Sequence, residues 1–134
     1  MRTRLNVFLV ALTAMLFALP GEAAPPAPAT QSSSDAGVTI TVTPRPLTGT
    51  TWVFEVALNT HTQPLSDDLE KTAMLVTDGG ATLPPVKWQG DPPGGHHRSG
   101  TLQFKAVSPL PAQIELRITR QGEAKPRSFR WQLK

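Results

Sequence analysis

Two neighbouring histidines, His96 and His97, sit in the stretch GDPPGGHHRSG at residues 90–100, and the only other histidine of the chain is His61. Neutral imidazole is the commonest side-chain ligand for zinc and copper, and three imidazoles with one open position form a recognised site. Gly94 and Gly95 stand directly before the pair and give the backbone freedom to bring both rings around one centre. Adjacent residues of an extended segment point to opposite faces, so both rings ligate together only if the chain turns there. The candidate ligand set is therefore His61, His96 and His97, and the ions that suit it are Cu(II) or Zn(II). The chain has no cysteine, which removes thiolate sites and a blue-copper centre, and Met74 is the only methionine outside the N-terminal segment, so soft Cu(I) chemistry has poor support.

The same stretch has other readings. Asp91-Pro92-Pro93-Gly94-Gly95 is good turn chemistry by itself, with one imidazole bonded to loop backbone and the other solvated. Alternatively the loop recognises a protein, a glycan or another surface polymer, with Trp88, Arg98 and Asp68 as candidate contacts beside the histidines. Ser99 near His97 and Asp91 has the residue types of a nucleophilic triad without an elbow or an orienting spacing. Asp67-Asp68 lacks the spaced Asp/Asn/Gly pattern of a calcium loop. The residues read as a non-enzymatic binding module, with an envelope structural domain as the further class.

The elements that must position these residues are strands. Val38, Ile40 and Val42 alternate with threonines, and Trp52, Phe54, Val56 and Leu58 line one face of the next segment. Leu69 to Thr77 is mixed, since Leu69, Ala73 and Leu75 also fit a helical turn, and its end AMLVT reads as a strand. Val86 to Trp88 is a short strand, followed by Thr101 to Ala106, Gln113 to Thr119 and Pro126 to Lys134, each with clean alternation. About seven short strands without a convincing helix predict an all-β, antiparallel immunoglobulin-like sandwich over residues 38–134, with a small barrel as the competitor. Trp52, Phe54, Phe104, Leu116, Phe129 and Trp131 are expected in its core. Arg117, Arg127 and Arg130 read as solvated strand faces, with Glu115 as a cross-strand partner.

If every strand reverses, the loops at residues 59–68, 89–100 and 120–125 share one end of the sandwich. All three histidines then meet at one pole, near Asp67, Asp68, Asp91 and Glu123.

Outside the domain, Arg2 and Arg4 precede an apolar run from Leu5 to Leu19, ended by Pro20-Gly21 and the small residues through Ala23. This is the pattern of a secretory signal peptide over residues 1–23, its apolar run short of the ~20 residues a bilayer span needs. The expected destination is periplasmic or extracellular, with no stable membrane span after cleavage. Residues 24–37, APPAPATQSSSDAG, carry no apolar periodicity and read as a disordered linker. Taking Arg2, Arg4 and Glu22 away from 13 basic and 10 acidic residues leaves 11 and 9, an excess of +2. Those charges are interspersed, which speaks against a nucleic-acid partner.

Thr60-His61, Trp88-x-Gly90, Gly94-Gly95-His96-His97-Arg98-Ser99-Gly100-x-Leu102-x-Phe104 and Phe129-x-Trp131-x-Leu133 together resemble small exported prokaryotic β-sandwich domains of unassigned function that carry a GGHHRxG loop. The resemblance covers most of residues 38–134. It implies a compact sandwich built around the His-His-Arg loop and implies no activity. Cupredoxin-like copper proteins are similar in architecture alone, since their cysteine and methionine ligands have no match here.

Overall fold

The computed structural model describes residues 18, 21 and 27–134, so the signal-peptide reading lies almost entirely outside the described residues. Two antiparallel sheets pack face to face. The first runs in the order β1 (Gln31–Asp35), β2 (Val38–Pro44), β3 (Thr51–Thr60), β7 (His97–Lys105), β6 (Lys87–Gly90). The second runs β5 (Thr82–Leu83), β4 (Ala73–Thr77), β8 (Gln113–Ile118), β9 (Arg127–Gln132). The order β2-β3-β7-β6 against β4-β8-β9 is that of an immunoglobulin-type sandwich, built without its disulfide. The single helical turn α1 (Leu69–Thr72) uses the residues whose spacing was ambiguous.

Period-two patterning decides which faces are buried. Val38, Ile40 and Val42 meet Leu58 and Val56 across β2 and β3, and Trp52 and Phe54 lie opposite Phe104 and Leu102. Phe54 stacks edge-on to Phe104 at 5.6 Å between ring centres and lies 5.8 Å from Trp131. All six residues expected in the core are buried.

Three differences from the sequence reading have physical reasons. Residues 31–35, placed in the linker, form β1. Apolar burial does not hold it. Hydroxyl pairs do, Ser32 with Thr41 at 3.0 Å and Ser34 with Thr39 at 2.7 Å, together with contacts to β9 from the far end of the chain. Ala36 and Gly37 both take positive φ (47° and 77°) in the two-residue turn between β1 and β2, the twist a tight hairpin demands. Residues 82–83 add the short β5, bringing the strands described to nine. Finally, β7 starts at His97, so His97 and Arg98 are strand residues.

Side chains occupy the outer strand edges. Glu70 Oε1 accepts the backbone N–H of Trp88 on β6 at 2.8 Å. The Gln31 amide bonds both the N–H and the carbonyl of Arg130 on β9, and Trp131 Nε1 donates to the carbonyl of Ala29. Among the described residues no helix is long and apolar enough to cross a membrane.

Candidate functional site at one pole of the sandwich

The loops at residues 61–68, 91–96 and 119–126 meet at one end, joined there by the β1–β2 turn. Backbone bonds lace the first two together: Thr60 N–H to the carbonyl of His96, Leu65 N–H to that of Gly95, and Gly94 N–H to that of Leu65, all at 2.8–2.9 Å. The positive φ of Gly94 (118°) and Gly95 (67°) makes this exchange possible. The glycines thus tie the loop to its neighbour, and Leu65, fully buried, anchors both in the core.

Beneath the loops lie three buried arginines, Arg98, Arg120 and Arg127, at 2%, 5% and 5% exposure. Each continues the inward alternation of its strand: Arg98 with Leu102 and Phe104, Arg120 with Leu116 and Ile118, Arg127 with Phe129 and Trp131. Arg98 donates to the carbonyls of Asp91 (3.2 Å), Leu65 (3.4 Å) and Asp67 (2.5 Å), and lies 5.3 Å from the centre of the Trp88 ring. Burial pushes its guanidinium below the ordinary value, against the opposing pull of Asp67, Asp68 and Asp91. Arg120 grips Asp67 through Nε (3.1 Å) and Nη2 (3.4 Å) and reaches Glu123 at 3.0 Å. Arg127 donates to Ser33, Asp35 and Val38 carbonyls at 2.7–3.1 Å as well as to Glu123. Asp67, Arg120, Glu123 and Arg127 form an alternating, charge-balanced chain that binds two loops and the β1–β2 hairpin. No buried side-chain nitrogen or oxygen among the described residues lacks a partner.

This assigns Arg127 to the interior and removes it from the solvated faces. Arg117 and Arg130 do remain on the outer face, sharing Glu115 at 2.7 and 3.3 Å. The hydrogen bond from Arg117, aided by that from Ser128, holds the Glu115 carboxyl down to about 2 against the opposing effect of burial.

On the rim, the histidines divide. His61 and His97 face each other edge-on with 6.4 Å between ring centres. Register explains it: Asn59 and His97 are direct partners across β3 and β7, and His61 follows two residues beyond. Asn59 Oδ1 lies 2.7 Å from His97 Nδ1. Accepting a proton from that nitrogen leaves Nε2 as the free lone pair, the orienting role a neighbouring acceptor plays in metal sites. His96 takes part through its carbonyl, and its exposed ring makes no hydrogen bond. Among the described residues no group of three or more His, Asp or Glu side chains is placed to hold an ion, so the expected set of three reduces to the His61–His97 pair.

The remaining candidates fall into structural roles. Trp88 is half-buried against the core, and its indole N–H donates to the carbonyl of Asp91 at 3.0 Å. Its ring leaves no room for a side chain at position 100, where a Cβ would lie 2.7 Å from Cζ2. The Arg98 guanidinium is enclosed by loop carbonyls, and Asp68 opens α1 with its backbone carbonyl, which accepts from Lys71 and Thr72, while its carboxylate pairs with exposed Lys71 at 3.4 Å. Asp91 Oδ2 accepts from Ser99 N–H (2.9 Å) and Oγ (3.5 Å), while His97 is turned to Asn59, so no hydrogen bond joins the serine to an imidazole. The arginine layer was missed by sequence reasoning although a signal existed, because each arginine sits on the inward parity of its strand.

No protein-family model, no curated protein and no solved structure matches this chain.

Proposed function

We propose that this protein is an exported, non-enzymatic binding module, periplasmic or extracellular, that takes Cu(II) or Zn(II) between His61 and His97. The observation that carries the reading is the 6.4 Å pairing of those rings on a rim fixed from below by the arginine chain. With Zn–N bonds of about 2.1 Å, the centres of two imidazoles on one tetrahedral ion stand roughly 5 Å apart. Rotation of two exposed side chains covers the difference, while the loops themselves stay put. The N-terminal sequence supports export.

Calorimetric titration of the purified protein with CuCl2 and ZnCl2 tests this. Saturable binding at micromolar metal is expected, lost in His61→Ala and in His97→Ala and kept in His96→Ala. Histidine protonates in general near pH ~6.5, so binding should weaken as the pH is lowered through that range. No saturable binding overturns the metal reading.

A second reading is favoured by the rigidity of the pole, where three loops are cross-bonded and still present exposed Pro92, Pro93 and His96. Such a platform suits recognition of a protein or a surface polymer. Pull-down on envelope material with loop variants would then identify the partner, independently of metal.

A further inference from the structure

We infer that the ion held by His61 and His97 is shared between two copies of this chain, each supplying both imidazoles about a two-fold axis. The inference rests on the metal reading above and extends it to the partner. Zinc is nearly always four-coordinate when its site is closed by protein ligands. This rim offers two nitrogens and, among the described residues, no third His, Asp or Glu side chain in reach. Asn59 Oδ1 is already committed to His97 Nδ1. Half a shell is therefore missing, and an isologous pair supplies it, because any residue next to the axis is presented twice.

The surface around the pair allows the approach. His97 lies on the outer face of the first sheet, whose pole half is made of Thr39, Thr41, Ala57, Ser99 and Thr101. These side chains are short and uncharged. Glu55, directly opposite Thr101 across β3 and β7, is paired with Arg45 at 3.2 Å. Asp91, exposed beside Ser99 and bonded to its N–H and Oγ, puts an acidic group at the margin of this face, and the short side chains around it let the backbones come near enough for four imidazoles to reach one ion. The metal supplies the specificity that this flat, hydroxyl-bearing face lacks by itself. Without the metal this mainly polar face, with Ala57 and Val53 as small apolar contributions, gives the copies little to hold on to, so the pair assembles and dissociates with zinc.

Sedimentation velocity of the purified protein with ZnCl2, with and without excess EDTA, tests the inference, alongside calorimetric stoichiometry. The expected result is a doubled mass at one zinc per two chains, reversed by EDTA. His61→Ala and His97→Ala should remain single at every zinc concentration, and His96→Ala should pair like the parent. The substituted side chains are exposed, and a far-UV spectrum checks that each variant is folded. Zinc binding at one per chain with unchanged mass overturns the shared ion and leaves the metal-binding reading standing. No zinc binding overturns both. Pairing that survives loss of both histidines places the zinc elsewhere and overturns the inference.

Discussion

Arg127 and Glu123, four residues apart, form a two-point ion pair in the interior: Nε donates to Oε2 and Nη2 to Oε1, both at 2.8 Å, with each side chain about 95% buried. Glu123 also accepts from Arg120, so one carboxylate separates two guanidiniums. Glu123→Ala leaves both cations buried without it. The expected loss is about 3–5 kcal/mol, read as a lower urea midpoint with an unchanged slope. Because the pair is shielded from solvent, the loss should change little between low and moderate salt.

Glu115 gives the fold an acid limit. Its carboxyl titrates at about 2 when folded, from an ordinary value of 4.5, chiefly through the Arg117 hydrogen bond. The charged form is favoured by folding, so this contribution is present above pH ~4.5 and fades as the pH falls toward about 2. Arg117 and Arg130 are themselves exposed, at 44% and 64%, and solvent screening brings the contribution to about 1–2 kcal/mol. Glu115→Gln should be less stable than the parent by that amount at pH ~6, and the difference should close on acidification. A difference that grows as the pH falls would contradict this account.

Trp131 spans core and edge, packing on Phe54 while its indole N–H bonds Ala29. Trp131→Ala should cost about 3–5 kcal/mol. It should also release the N-terminal segment, seen as faster hydrogen exchange in β1 at denaturant concentrations where β3 and β7 stay protected.

Ala36 holds a φ of 47° in a turn that suits Asn-Gly better than Ala-Gly. Ala36→Asn should stabilise by about 0.5–1 kcal/mol, raising Tm by roughly 2–6 °C, provided the replacement keeps the turn.

The strands that alternate apolar and polar residues were legible because burial on one face imposes a period of two. The shared pole was legible too, since alternate loops of an antiparallel fold fall at the same end. What escaped was set by partners remote in sequence. β1 is polar throughout, and the Arg127 that clamps its carbonyls lies 92 to 94 residues away. Charge was read as exposure at Arg127, although its parity with Phe129 and Trp131 pointed inward. The separation of His96 from His97 depends on where β7 begins, and that follows from the pairing of His97 with Asn59 across the sheet.

The side chains on the strand edges bear on how the molecule behaves in crowded company. An open sheet margin is a template on which a foreign strand can dock and a fibril can grow. Here Glu70 occupies the amide of Trp88, Gln31 stands in for a peptide against Arg130, and Arg127 fills the carbonyls of Ser33 and Asp35. The margins at β6, β9 and β1 are thus each met by a group that is part of the folded domain, so that protection vanishes only when the domain opens. A chain with no disulfide to hold it thereby keeps backbone groups on three of its sheet edges occupied for as long as it stays native.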